Sequence, residues 1–339
     1  MTKINNTGIV RQLNLDIVRQ TLRNEGGITK SMLARKTGMS IATCGNLLRL
    51  LIKQKEVFEG EVDKLTGGRP AKTYYYNSKN EMILCIYILA EETVSVHIEV
   101  YDNMGSKQEE FVETYNQLAL EDIYNQIDRI LQKYKNIVII SIGVPGYVLD
   151  GKIESCDEPN LQNVDIYEEM RKRYGIDVLV GAEKYFKVYG YYKRMELDEK
   201  NTLVYILAPK TKCMGAGIMI DGHVLRGGNA MAGEIMYLPY YMIKEHGVSI
   251  DDIVSEIPFV VSSMVAIIAP QKFILSGGRF NEESCDEIRK ECIKIIPEKY
   301  IPEIKYAEDS FEDYREGLLA ATLETLNSSI KLVETGILY

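Results

Sequence analysis

Apolar residues recur at helical spacing in three successive segments near the start of the chain. The pattern predicts a first helix over residues 14–24 and a second over residues 29–36, with Thr29 as the N-cap of the second. Gly38 then supplies the positive φ angle that a tight turn needs, and Ser40 is placed to cap a third helix. The sequence therefore predicts helix, glycine turn and helix in close succession.

The third predicted helix has one apolar and one polar face. The apolar stripe consists of Cys44, Leu47, Leu48 and Leu51. Residues 28–48 thus show the helix-turn-helix pattern, whose second helix enters the major groove of DNA. We expect Thr43, Asn46 and Arg49, on the polar face, to read base edges; ordinary solvent-exposed helix surface is the alternative. Phosphates are expected to contact four basic residues, Lys30, Arg35, Lys53 and Lys72.

Two short strands are predicted after the third helix, over residues 57–62 and 72–77. The loop between them contains Gly67-Gly68-Arg69-Pro70. Strand, loop and strand in this position form a wing. Two glycines allow a close approach of the backbone, and a single arginine suits the narrow minor groove of A·T-rich DNA. Arg69 is therefore expected to contact the minor groove, with an ordinary linker turn as the alternative interpretation.

The rest of the chain alternates strand-like and helix-like segments, which is typical of an α/β protein. Strands are predicted over residues 82–89, 93–101, 137–144, 178–180, 203–207 and 216–220, and helices over residues 118–134, 164–174 and 185–194. Glycine-rich turns at 143–146, 215–217 and 277–278 have the geometry that holds phosphates through backbone N–H groups, although glycines also simply turn a chain. We expect two lobes that enclose a cleft.

Composition and charge narrow the class of protein. The chain has 339 residues, 46% of them hydrophobic. It has no apolar run long enough to span a bilayer, and residues 1–10 contain no apolar leader. We therefore expect a cytoplasmic protein without a membrane partner. Six scattered cysteines predict reduced thiols and no cysteine-rich metal site. The first 80 residues have a net charge of +8 and the remainder −17, which favours a nucleic-acid-binding head on an acidic body.

Several motifs together resemble the ROK family of repressors and sugar kinases. They are the wing element 67–70, the strand-to-turn element 141–146, the Pro-Asn-Leu loop within 158–161, the long glycine-rich element 215–234 that ends in Ala-Gly-Glu, the turn 274–278 and a closing helix over 317–326. The resemblance implies a winged helix-turn-helix over residues 1–79. It also implies a two-lobed, actin-like or ribonuclease H-like sugar-kinase-type fold over 80–339. The first lobe would comprise about 80–182 plus a C-terminal helix at 315–339, and the second about 183–314.

The sequence departs from the family's kinase pattern at three motifs. Ala90-Glu91-Glu92-Thr93 replaces the Asp-x-Gly-x-Thr phosphate loop, and its two carboxylates would repel phosphate. Ala182-Glu183 stands where the family has an Asn-Asp pair with the catalytic base. Tyr237 replaces a histidine, and no cysteine lies between 213 and 285 to build the family's zinc element. We therefore expect no phosphoryl transfer, no metal and no cofactor.

The same resemblance implies a carbohydrate site in the cleft. The residues expected to face a sugar are Asn160, Glu183, Asn229, Glu234 and Tyr237. Changes at hydroxyl-pairing positions alter ligand choice or abolish binding, so the identity of the ligand stays open. Tyr185 and Phe186 fit either stacking on a sugar or packing in the core.

Taken together, the sequence predicts a DNA-binding transcriptional regulator, a repressor of carbohydrate-related genes. We expect a homodimer, or a higher oligomer, on an inverted repeat with A·T-rich flanks and recognition helices about 34–36 Å apart. Two alternatives remain open. The body could only dimerise the head or dock a protein partner, or it could be a residual sugar kinase in which Glu183 serves as the base.

Overall fold

The computed structural model describes residues 6–63, 71–90, 93–156, 158–209, 214–238 and 253–327. The head contains three helices and a small antiparallel sheet of order β1-β3-β2. Its elements are α1 (Asn6–Glu25), β1 (Ile28–Thr29), α2 (Lys30–Thr37), α3 (Ile41–Lys53), β2 (Val57–Asp63) and β3 (Ala71–Tyr76). The helix-turn-helix predicted from the sequence is present.

The predicted caps and turn of the head are confirmed. The hydroxyl of Thr29 accepts a hydrogen bond from the Met32 N–H at 3.3 Å, and that of Ser40 accepts one from the Thr43 N–H at 3.0 Å. Gly38 ends α2 with φ of 70°. The predicted stripe of α3 is buried against α1 and α2. The first helix was predicted too short, because residues 8–13 bury no apolar side chain and give no core signal.

The first lobe is built on a five-stranded sheet of order β6-β5-β4-β7-β10, in which β4, β7 and β10 run parallel. Its elements are β4 (Met82–Ala90), β5 (Val94–Asp102), β6 (Lys107–Tyr115), α4 (Leu120–Lys133), β7 (Ile137–Val144), β8 (Gly146–Leu149), β9 (Lys152–Cys156), α5 (Ile166–Tyr174) and β10 (Asp177–Ala182). The short hairpin β8-β9 projects from the end of β7. The long apolar runs of β4 and β7 are buried on both faces, as strands at the centre of a covered sheet require.

The second sheet has the order β13-β12-β11-β14-β15. The elements of this part are α6 (Glu183–Arg194), β11 (Leu203–Leu207), β12 (Gly215–Ile220), β13 (His223–Val224), α7 (Ile253–Ile268), β14 (Lys272–Ser276), α8 (Glu282–Ile293), β15 (Glu303–Tyr306) and α9 (Ser310–Asn327). In both sheets the first strand pairs with an antiparallel hairpin partner on one side and a parallel strand on the other. The two lobes therefore repeat one topology, and the predicted α/β architecture is confirmed.

Two helices cross where the lobes meet. α6 packs on β11 and β12, while α9 packs on β4 and β7. A Cβ at Gly190 would overlap the carbonyl oxygen of Asp313, and one at Gly317 would overlap that of Phe186. The two glycines thus allow the backbones of α6 and α9 to touch. The closing helix was predicted from 317 and begins at Ser310, because Asp309 caps its first turn by accepting from the Glu312 N–H at 3.0 Å.

Head and body meet at the hydroxyl of Tyr76, the last residue of β3. It accepts hydrogen bonds from the guanidinium of Arg23 at 2.7 Å and from the amide of Asn103 at 2.9 Å. Arg23 lies on α1, and Asn103 lies in the turn between β5 and β6. One side chain thus links the head to the first lobe. The domain boundary at 79/80 and the division of the lobes remain predictions.

Candidate functional sites

The polar face of α3 is open on the surface of the head. Asn46 and Arg49 are exposed, and Thr43 is half-buried with its hydroxyl 2.8 Å from that of Ser40. The guanidinium of Arg49 donates to the side-chain oxygen of Asn46 and, through Nε, to the Gly45 carbonyl at 3.3 Å. Asn46 and Arg49 therefore form one hydrogen-bonding unit, with donors and an acceptor of the kind that pairs with base edges.

An open groove runs between this face and the strands behind it. Lys30, Asn46, Arg49 and Lys72 all line it. The Lys30 side chain lies across Gly45, whose absent Cβ would be 3.3 Å from the lysine Cδ. The ammonium of Lys72 lies 2.5 Å from the Glu59 carboxylate on the neighbouring strand, so it carries a counterion of its own. Two of the four predicted phosphate contacts thus flank the predicted base contacts.

Two further predicted DNA contacts are not among the residues that line this groove. Arg35 is exposed on α2, and Lys53 is exposed at the last residue of α3. Arg69 and the rest of the predicted wing loop lie outside the described residues. All of these contacts remain predictions.

A cavity of about 380 Å³ opens between the two lobes. Its walls come from the end of β4, the turn from β7 into β8, the strand β9, the start of α6, the end of β11 and the segment 231–237. The predicted residues Glu183, Glu234 and Tyr237 all line it. The sequence therefore identified three side chains that the fold brings to one cavity from positions up to 54 residues apart.

Two other predicted ligand residues are not among those that line the cavity. Asn160 is exposed on a short helical turn, Pro159–Leu161. Asn229 uses its side-chain oxygen to accept from the Met231 N–H at 3.3 Å, and its carbonyl accepts from the Tyr147 hydroxyl. Asn229 therefore shapes the segment behind the cavity wall.

The aromatic residues divide between core and cavity. Tyr185 and Phe186 are buried in the core between the lobes, and the Tyr185 hydroxyl donates to the Ala230 carbonyl at 2.7 Å. Tyr237 is 58% exposed and lines the cavity. Tyr185 and Phe186 therefore pack in the core. Of these three aromatic residues, Tyr237 is the one placed to stack on a ligand.

Lys184 is a cavity residue that sequence reasoning missed. Its ammonium contacts the Glu234 carboxylate, and its side chain is only 6% exposed. Burial lowers the pKa of Lys184, and the charge of Glu234 and its hydrogen bond oppose that shift. The sequence shows a lysine directly after Ala182-Glu183. Its partner Glu234 lies 50 residues further along the chain, so the sequence alone does not reveal the pair.

At the glycine-rich turns, carbonyl groups of the protein's own backbone lie where a side chain would otherwise be. A Cβ at Gly146 would overlap the Ser155 carbonyl, one at Gly217 would overlap that of Lys184, and one at Gly277 would overlap that of Ala208. These glycines are therefore required for close packing of the chain.

In the parts of the chain described, no three histidine, cysteine or carboxylate side chains are grouped to hold a metal ion. No helix within the same ranges has the length and apolarity needed to cross a membrane.

The geometry defines a helix-turn-helix head on a two-lobed α/β body of the sugar-kinase type, and this predicted fold class is confirmed. Residues 96–247 match the sequence model of the ROK family. Over these 152 residues, less than half of the chain, the protein is similar to the ROK family, as the resemblance of its motifs implied.

The relatives that this chain matches include two bacterial transcriptional regulators. The xylose repressor of Caldicellulosiruptor bescii is 27% identical over 242 residues, 68% of this chain and 59% of the relative. The DNA-binding transcriptional dual regulator NagC of Escherichia coli is 22% identical over 244 residues, 70% of this chain and 59% of the relative. The chain thus spans about three fifths of the length of the curated relatives that it matches.

A crystal structure of a ROK family transcriptional regulator, described as a homologue of the E. coli MLC protein, superposes with a TM-score of 0.63. The superposition covers 94% of this chain and 98% of that chain at 16% sequence identity. At this identity the likeness concerns the fold, and it extends over head and body together.

Proposed function

We propose that the protein is a DNA-binding transcriptional regulator, a repressor of carbohydrate-related genes. The observation that carries this proposal is the exposed pair Asn46 and Arg49 on α3, set in a groove with Lys30 and Lys72. The basic head and acidic body support it, because phosphate attraction is then confined to one end of the chain. The names of the relatives, a xylose repressor among them, agree with it. Such a regulator acts in the cytoplasm.

The proposed complex is a homodimer on an inverted repeat. Thr43, Asn46 and Arg49 read base edges in each half-site, and Arg69 enters the A·T-rich minor groove. The phosphates contact Lys30, Arg35, Lys53 and Lys72. Two-fold symmetry of the protein then matches the symmetry of the operator.

The body of this regulator does not transfer phosphate. Glu183, the residue in the position of the family's base, is paired with Lys187 at 2.6 Å, and both side chains are largely buried. The Lys187 ammonium thus occupies the carboxylate that would have to accept the hydroxyl proton of a sugar. At Gly146, Gly217 and Gly277 a carbonyl of the chain's own backbone lies where a side chain would be, so close packing already explains these glycines.

The cleft is proposed to bind a carbohydrate effector that alters the spacing of the two heads. The cavity of about 380 Å³ has the size of a small-ligand pocket, and Glu183, Glu234 and Tyr237 line it. A ligand changes DNA affinity only by binding one conformation better than the other. The alternative, a body that only dimerises or docks a protein partner, predicts no sugar binding.

The deciding experiment is selection of genomic fragments by the purified full chain, followed by binding to the best site. Asn46→Ala should weaken binding to that site by about 5- to 150-fold for each half-site, because a good bidentate base contact is worth about 1–3 kcal/mol. Gln162→Ala, an exposed change on the body, is the matched control and should bind like the wild type. If no sequence is enriched above non-specific binding, the regulator proposal fails.

The kinase alternative is tested separately. We expect no sugar-dependent ATP turnover by the full chain above a no-enzyme blank. Turnover that disappears in Glu183→Gln would instead establish a residual sugar kinase.

A further inference from the structure

The head joins the body through a short connection between β3 and β4, and the hydrogen bonds of this connection fall into two groups. Asn77 is bound to the head, because its N–H donates to the Glu56 carbonyl at 2.8 Å and its amide to the Lys55 carbonyl at 2.9 Å. The next residue, Ser78, is bound to the body, because its carbonyl accepts from the Asn103 N–H at 3.1 Å. The head can therefore turn on the body by rotation about the backbone bonds between Asn77 and Ser78.

Packing of apolar side chains does not fix the angle of the head. The apolar cluster of the head is made of head residues alone. Within the described ranges, no helix or strand of the head packs extensively against a helix or strand of the body. A cavity of about 560 Å³ opens between α1 and the end of α9, with Gln20 and Leu326 in its walls. The angle of the head thus depends on polar contacts at the connection.

The Tyr76 hydroxyl spans the point of rotation. Tyr76 belongs to the head, and its hydroxyl accepts from the Asn103 amide of the first lobe at 2.9 Å and from the Arg23 guanidinium of α1 at 2.7 Å. We call these two hydrogen bonds the Tyr76 bridge. Burial raises the pKa of Tyr76, and the hydrogen bond and charge of Arg23 oppose that shift, so the hydroxyl is protonated at ordinary pH. A second link beside a single point of rotation prevents the rotation.

The body end of the Tyr76 bridge is held in place. Asn103 is 2% exposed and lies in the turn between β5 and β6. In this turn the Asp102 carboxylate accepts from the Met104 N–H at 3.0 Å. A Cβ at Gly105 would lie 3.3 Å from the side chain of Leu323, so the turn also packs on α9. The bridge therefore ties the head to a well-supported point of the first lobe.

From this geometry we infer that Tyr76 is a positioning residue for operator recognition. Its bridge to Asn103 sets the angle of each head and thereby the one half-site spacing that the dimer accepts. This rests on the DNA-binding homodimer proposed above and adds what determines its choice of spacing. Two fixed heads engage both half-sites at a single separation and rotation, whereas heads that are free to turn engage several.

The test is binding of the full chain to duplexes that carry the selected inverted repeat with two base pairs inserted or removed at its centre. Each change alters the separation of the half-sites by about 7 Å and their relative rotation by about 70°. The wild type should bind both altered duplexes at least about 30-fold more weakly than the selected site, because avidity is lost when the two heads cannot engage together.

Tyr76→Phe should bind the three duplexes within about threefold of one another, because its heads can turn to reach each spacing. Its affinity for a duplex with a single half-site should equal that of the wild type, since the bridge contacts no DNA in this arrangement. Fluorescence anisotropy at one fixed salt concentration measures all of these affinities.

Three variants test whether the effect belongs to the bridge. Tyr75→Phe is the matched control, because Tyr75 precedes Tyr76 on β3 and its ring stacks on Phe58 within the head. It should keep the spacing preference of the wild type. Asn103→Ala breaks the bridge from the body side and should relax the preference as Tyr76→Phe does. Tyr76→Phe/Asn103→Ala should be no more relaxed than either single variant, since both remove the same contact.

Three outcomes overturn the inference. The wild type accepts all three spacings equally, or Tyr76→Phe keeps the spacing preference of the wild type. The third is that Tyr76→Phe weakens binding to a single half-site as strongly as binding to the operator, because Tyr76 then supports the fold of the head. Each outcome leaves a selected operator in place, so the regulator proposal is judged by the selection experiment alone.

Discussion

Burial sets the chemistry of the cysteine thiols. None of the five described cysteines is in a disulfide; Cys44, Cys85, Cys285 and Cys292 are buried and Cys156 is half-buried. Burial raises the pKa of Cys85 to about 12 and that of Cys292 to about 11. Since the thiolate is the nucleophile, these two thiols are unreactive at ordinary pH. Cys156, on the wall of the cavity, is accessible by comparison.

Alkylation of the native protein with iodoacetamide at pH 8 should therefore modify Cys156 while Cys85 and Cys292 stay unmodified. Peptide mass spectrometry gives the labelled fraction at each position. The same reaction in concentrated urea is the control, and there all three should react. Equal labelling of Cys85 and Cys156 in the native state would contradict the burial described.

At the scale of elements, two glycines fix how closely the lobe-spanning helices pack. Gly317 on α9 faces the Phe186 carbonyl of α6, and an added methyl group has no space there. Overpacking a tight contact forces the helices apart. Since α6 begins with Glu183 and Lys184, such a shift would also move two cavity residues.

Gly317→Ala should lower the free energy of unfolding by about 3 kcal/mol, as overpacking does. Gly8→Ala is the matched control, because Gly8 is also helical but has nothing within 4 Å of its missing Cβ. Alanine there should stabilise by up to about 1 kcal/mol through helix propensity. Urea unfolding followed by circular dichroism measures both; a Gly317→Ala protein as stable as the wild type would contradict the close helix contact.

Several elements with a buried apolar pattern were predicted from the sequence, but β14 and α7 were not, although both bury apolar side chains. The strand Ile137–Val144 was predicted to the residue, because eight successive positions are apolar or small. The strand Lys107–Tyr115 was missed, since it lies at the sheet edge, bears charged residues, and only partly buries its apolar Phe111 and Tyr115. β13 and β15 were missed because they are short and are defined by their pairing.

The same limit applies to the candidate cleft. Glu183, Glu234 and Tyr237 were found because they stand in recognisable motifs, while Lys184 owes its role to a partner that only the folded chain brings near. Asn160 was expected in the cleft from its motif, but the turn Pro159–Leu161 leaves it exposed.

For the whole molecule, the separation of charge determines how binding responds to salt. The proposed dimer places eight basic residues on phosphates, four from each head, and the acidic body adds none. Release of counterions then gives a plot of log K against log salt with a slope of about −7.

Lys53→Ala removes two of these contacts per dimer, so the slope should fall in magnitude by about 2, with a similar effect on all DNA sequences. Lys200→Ala, an exposed change on the body, serves as the control and should leave the slope unchanged. Fluorescence anisotropy over a range of potassium chloride concentrations measures both. A Lys53→Ala slope equal to that of the wild type would remove Lys53 from the interface.

The repeated topology of the two sheets places the ends of equivalent strands at the cleft. Ala90 ends the first strand of one sheet, and Leu207 ends the first strand of the other. Both line the same cavity, so topologically equivalent points of the two lobes contribute to its wall. A molecule held there is enclosed by two copies of one architectural unit. The chemical difference between its two sides must then come from side chains present in one lobe only, of which the α6 pair Glu183 and Lys184 is the clearest case.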